Sequence, residues 1–265
     1  MAGPDALLLF AKVAAAALIV VTASRATERA GPVLGAMIAT LPVSAGPVYV
    51  FLALDHGAAF ISDSARMSVA ATAATAAFVA AHAFAAQRLA TPASLALATL
   101  SWMAVALALQ LHDWSFIEAC LLFGGVFVLA IRGLRRFAVT LEAPPVPRAR
   151  FDLVLRALLV AGVVVATTFA GNAFGPAVAG VLATYPVVFT SLVLILQPRC
   201  GGPFTASVLV NGLKGLLGFG LALASLHLAA ARASATAALL LALAVALGWN
   251  AMLLLLNRRR QARTA

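Results

Sequence analysis

Few residues in this chain of 265 can do chemistry, so those that interrupt its apolar text carry most of the information. Two matching interruptions are Thr40-Leu41-Pro42 and Thr184-Tyr185-Pro186. Each proline lacks an N–H and crowds the carbonyl four residues back, Ile38 and Leu182, so a helix running through it is broken. Those carbonyls need protein or water as partners, because lipid supplies none. Thr40 and Thr184 add hydroxyls beside the breaks. The N–H groups of the half-helix that follows present a positive dipole end suited to an anion. Tyr185 stands where the first copy has Leu41 and brings a phenol that would contribute to selectivity. A plain proline kink packed by its neighbours is the competing reading. Duplication at the same depth favours a site.

Lys214 is the sharpest single residue. It lies ten positions beyond Phe204, about 15 Å into its span at 1.5 Å per residue, near the bilayer centre. A central lysine costs about 3 kcal/mol on insertion scales, so it is predicted to face the bundle interior. Asn211, one turn earlier, is its expected hydrogen-bond companion. No midplane carboxylate accompanies it, which favours an anionic substrate or a lysine that changes protonation state. Desolvation or freed carbonyls would hold it equally well without a substrate. The predicted substrate-binding set is Thr40, Pro42, Thr184, Tyr185, Pro186, Asn211 and Lys214. Lys12 and Arg156 are gate candidates, with snorkelling to the headgroups as the alternative. Gly212, Gly215 and Gly218 read as one smooth packing face. His82, Trp102 and Asn250 read as packing residues.

The elements that must position these groups follow from composition. Apolar residues make up 64% of the chain and charged residues only 10%, with a mean hydropathy of +1.07. A soluble domain is about half apolar and a quarter charged, so no water-facing surface can be built from this text. The apolar runs are continuous and about twice the length of a barrel strand, which excludes a transmembrane β-barrel. The chain is predicted to be an all-α integral membrane protein.

Charges, glycines and prolines divide it into nine predicted spans, near 6–24, 33–53, 66–87, 93–111, 115–131, 152–170, 177–196, 204–228 and 235–256. The segment 115–131, short and holding Glu118, is the weakest, and an eight-span alternative omits it. The organisation is a first repeat plus a linking fifth span (1–131), an Arg/Pro-rich linker (132–150), a second repeat (151–257) and a basic tail (258–265). The missing basic region ahead of the first apolar run predicts a first span that is retained.

A net charge of +10 would suggest nucleic acid in a soluble protein. Here the arginines lie in short connections, on one side with the linker and tail, which predicts the N-terminus out and the C-terminus in. Cys120 and Cys200 form no disulfide or zinc pattern, and neither a metal nor a cofactor is expected. Hydrolase and ATP-binding motifs are missing, so neither an enzyme nor a built-in pump is expected.

The organisation repeats internally. Gly31-Pro32, six residues, then Ala39-Thr40-Leu41-Pro42-Val43 recurs as Gly175-Pro176, six residues, then Ala183-Thr184-Tyr185-Pro186-Val187, 144 positions later. The same register aligns Lys12 with Arg156, Gly57 with Gly201 and Phe60 with Phe204. Five predicted spans separate corresponding helices, an odd number, which predicts two halves of inverted topology.

A duplicated half with GP and then TxP in its second helix resembles that of small bacterial inner-membrane proteins of no settled function, over most of the chain. In size and symmetry the plan also resembles drug/metabolite-type and bile-acid/sodium-symporter-type transporters, although no tenth span follows Arg258. The resemblance and the repeat together imply a secondary transporter of a small polar or anionic metabolite in a bacterial inner membrane. Its partners would be the bilayer and that solute, with a homodimer left open. A channel and a non-transporting scaffold or assembly subunit are the alternatives.

Overall fold

A computed structural model describes residues 10–19, 21–22, 45–138 and 150–264. The first proline-broken element, with Thr40 and Pro42, lies outside the described residues. In chain order the helices are α1 (Phe10–Ile19), α2 (Ala45–Ala85), α3 (Thr91–Leu109), α4 (Phe116–Gly133), α5 (Arg150–Phe174), α6 (Pro176–Ala183), α7 (Val187–Cys200), α8 (Gly202–Ala230) and α9 (Ala235–Thr264). A 3₁₀ turn, Arg135–Phe137, follows α4. Among the described residues no strand is present and seven helical segments are long and apolar enough to cross a bilayer, counting α6 and α7 as one. This is a multi-pass α-helical membrane protein.

The punctuation of the sequence explains the helix limits. Pro92, Pro176 and Pro203 open α3, α6 and α8 in the first turn, where a missing N–H costs nothing. Helix α4 opens on a capping box: the Ser115 hydroxyl accepts from the Glu118 N–H, and the Glu118 carboxylate accepts from the Ser115 N–H. Glu118 is thus accounted for by the helix start, and α4 is a full 18-residue helix.

Three glycines hold the left-handed backbone that only glycine adopts freely: Gly57 (φ 81°, ψ −171°), Gly175 (φ 82°, ψ −172°) and Gly201 (φ 82°, ψ 165°). Gly57 divides α2 into an arm, 45–56, and a main helix, 58–85. The expected third span, 66–87, therefore begins earlier, directly after a backbone reversal. Gly57 and Gly201 stand 144 residues apart, as do the starts of α3 at Thr91 and α9 at Ala235.

Helix α2 is the centre of the bundle, 78% buried over its most apolar window, whereas α9 is only 11% buried and faces outward. Helices α3, α4, α6 and α8 all pack on α2. A close approach occurs at Gly180 of α6, where a Cβ would press on the Ser64 carbonyl of α2. Small residues at such crossings let backbones meet, which is how helices associate where no hydrophobic effect separates protein from lipid.

Candidate functional site

The second break forms as the proline dictates. Helix α6 stops at Ala183, Thr184 caps it (φ −91°, ψ 2°), and Pro186 (φ −78°, ψ 62°) begins α7. The Val187 N–H donates to the Tyr185 carbonyl at 2.8 Å, an inverse γ-turn about Pro186. The Leu182 carbonyl, expected to be left open, instead accepts from the Tyr185 N–H at 3.0 Å, because the last turn of α6 tightens.

The carbonyls that do need outside partners are found by α2. Thr75 Oγ1 donates to the Thr184 carbonyl at 3.0 Å, and Ser68 Oγ donates to the Gly180 carbonyl at 2.5 Å. Tyr49 of the arm shares a 2.6 Å hydrogen bond with Ser68. Ser68, Thr72 and Thr75 are all buried, and their spacing of four and three residues sets them on one helix face. Sequence reasoning had not singled out this hydroxyl stripe, though that spacing was the available signal.

The break opens onto a cavity of about 300 Å³ between α2, α7 and α8. Thr72, Thr75, Thr184, Tyr185, Pro186 and Phe189 line it, and Gly212 and Gly215 form its α8 wall. Tyr185 is half-buried, its ring set edge-on against Trp102 at 5.1 Å, and its hydroxyl accepts from Thr190 at 3.3 Å. Trp102 thus positions a site residue as well as packing. Val188 and Phe189, in the first turn of α7, also border the cavity, and first-turn amides have no acceptor within their own helix. No charged side chain lines it among the described residues. Among the described residues, a larger groove of about 640 Å³ beside the arm and α9 has only Tyr49 and Thr236 as polar side chains. It has far less to recognise a solute with.

The remaining predicted residues fall elsewhere. Lys214 does not face the interior: its side chain is exposed, and it is its carbonyl that is engaged, by the Trp249 indole N–H at 2.9 Å. The neighbouring turn positions Leu213 and Gly212 take the inward face. Asn211 is not its companion, since its amide donates to the carbonyls of Ala138 (3.3 Å) and Ser207 (3.0 Å). The supposed glycine face is also divided. Gly212 abuts Phe189, Gly218 abuts Trp249, and a Cβ at Gly215 would meet only open space.

Lys12 is buried and bonded to Asp55 of the arm, at 2.5 and 2.6 Å. Arg156 is half-buried on α5. One turn before it, Asp152 receives both guanidinium nitrogens of Arg199, at 3.0 and 2.8 Å. His82, fully buried, meets the Gln197 side-chain oxygen at 3.0 Å, and Ser94 donates to the same oxygen at 2.9 Å, tying the far end of α7 to α2 and α3. Cys120 and Cys200 are free, and no three or more metal-ligating side chains gather among the described residues.

The arrangement is a broken helix whose gap is braced from one side by hydroxyls and opens on the other into a cavity. Comparison with known protein families, curated proteins and solved structures finds nothing that matches this chain.

Proposed function

We propose that this protein is a secondary transporter that carries a small polar or anionic solute by alternating access across a bacterial inner membrane. The observation that carries the reading is the break at Thr184–Pro186 opening onto the cavity, with the first turn of α7 and Tyr185 at its wall. Discontinuous helices with polar ends at a midplane cavity are the usual binding element of such carriers. Because Lys214 points away, the electron-rich end of the solute is received by the Val188 and Phe189 amides and the Tyr185 hydroxyl.

The recurrence at 144 residues of the GP and TxP motifs, of the glycine reversals and of the starts of α3 and α9 supports two like halves. With α4 as the linking span, the halves insert in opposite directions, and the matching sequence motif is Thr40-Leu41-Pro42, outside the described residues. In this reading the arginine-rich linker and tail lie on the cytoplasmic side.

Purified protein in liposomes, tested with labelled anions and neutral polar metabolites, decides the matter. Saturable uptake with counterflow, reduced by Tyr185→Phe, is expected of a carrier. Flux that never saturates would mean a channel, and no flux of any solute would leave a scaffold.

A further inference from the structure

Two ion pairs occupy corresponding places in the chain with their charges exchanged. Asp55 ends the arm of α2 two residues before Gly57, and Arg199 lies two residues before Gly201; positions 55 and 199 are 144 apart. Asp55 binds Lys12 of α1, and Arg199 binds Asp152 of α5. In sequence, position 152 corresponds to position 8, four residues before Lys12, so the two partners fall within four positions of each other in the 144-residue register. An acid on the arm meets a base in one case, and a base meets an acid in the other. What the two places share is the attraction, not the sign of either charge. A group that greeted a charged solute would need the same sign in both places; a fastener would not.

The fastened segments are those that wall the cavity. Ala45, at one end of the 45–56 arm, borders the cavity, and Asp55 stands about 15 Å further along. Val187 to Phe189 border it at the start of α7, and Arg199 stands about 15 Å beyond them. Each segment therefore has the cavity at one end and, at the other, an ion pair beside a glycine joint. Five apolar helical segments, the last of them broken at Thr184–Pro186, lie between Gly57 and Gly201. An odd number of crossings sets the two joints on opposite faces of the membrane. Side-chain exposure is 9% and 19% for Lys12 and Asp55, and 30% and 21% for Arg199 and Asp152. Lys12 is buried, while its partner Asp55 and both members of the second pair keep about a fifth to a third of their side-chain surface exposed beside the glycine joints.

We infer that Lys12–Asp55 and Asp152–Arg199 are the two gate latches, each holding the cavity closed toward its own face of the membrane. This rests on the transporter reading for its purpose but not for its test. The reporter is Gly215→Cys, where the new side chain meets open space at the cavity wall, in a Cys120→Ser, Cys200→Ser background. Its modification by a membrane-impermeant thiosulfonate is timed separately from each face of oriented vesicles.

Asp55→Ala is expected to speed labelling several-fold from one face only, and Asp152→Ala from the opposite face only. The exchanged pairs Lys12→Asp with Asp55→Lys, and Asp152→Arg with Arg199→Asp, return it to the parent rate. Where an alanine variant does not fold, Asp55→Asn and Asp152→Asn serve in its place. Acceleration from the same face in both variants, from both faces at once, or from neither in folded protein overturns the inference. So does failure of the exchanged pairs to restore closure. One-sided labelling without any solute flux would keep the latches and discard the carrier, whereas flux that coexists with unchanged labelling would do the reverse.

Discussion

The main helix of α2 (58–85) and helix α8 (Gly202–Ala230) each start after a left-handed glycine and run in the same sequence register, yet they serve the cavity in opposite ways. The first brings hydroxyls: Ser68 and Thr75 hold the carbonyls of the broken helix, and Thr72 lines the wall beside them. The second brings space. The position matching Ser68 is Gly212, and the one matching Ala71 is Gly215. One of these helices is a brace and the other a wall. The cavity is therefore chemically one-sided, with hydroxyls on its α2 side and glycines and apolar side chains on its α8 side.

Substitutions can break this contrast in order of severity. Gly180→Leu should cost most, about 3 kcal/mol, because its Cβ would press on the Ser64 backbone, which cannot turn aside. Loss of monodisperse protein or a large fall in Tm in detergent is the expected result, and a Tm near the parent's would mean that the α6–α2 crossing is looser than described. Thr75→Val leaves the Thr184 carbonyl unpaired and should cost about 1 kcal/mol, in line with hydrogen bonds between membrane helices. The corresponding Phe219→Leu in α8 tests the other side of the comparison, since it leaves no polar group unpaired and its cost should come from packing alone. Equal dependence of the two variants on solvent isotope or on added alcohols would erase the proposed division of labour.

A smaller effect is expected of Gly212→Ala. The new methyl would meet Phe189 Cε1 at 2.9 Å, the edge of a ring that can rotate, so stability should change by less than about 1 kcal/mol while the cavity narrows. Solute flux should fall more than Tm does. Smallest of all is Lys214→Ala, which removes an exposed side chain and should alter stability by about 0.5 kcal/mol or less with flux retained. Loss of flux there, with Tm unchanged, would move the anion-binding role back to Lys214.

The contrast also marks what could be read from the chain in advance. Helices and their ends were legible because apolar runs, prolines and glycines act locally. Pro186 breaks its helix whatever surrounds it, and Ser115 with Glu118 announces the start of α4. Direction around a helix was not legible. In a helix apolar on every side the sequence carries no phase, and Lys214 could be assigned to the interior only by the cost of charge in lipid. Partners distant in sequence were equally hidden. Asp55 lies 43 residues from Lys12, and Thr75 lies 109 from Thr184, so neither pair follows from local spacing. The first broken helix stays an expectation from the repeat, because Thr40 and Pro42 lie outside the described residues.

The single-residue joints have a consequence for how the chain is made. Gly175 separates two span-length segments with nothing else between them, and Gly201 separates the second of these from a third. A connection of one residue cannot hold a soluble loop against the membrane while its second helix waits outside. Each such pair must enter the bilayer together, as a preformed hairpin, and the three segments from α5 to α8 become a single unit of insertion during synthesis. Truncation within α8 should then prevent stable integration of α6 and α7, and no protease added from either side should find a site between Arg150 and Ala230 in the finished protein.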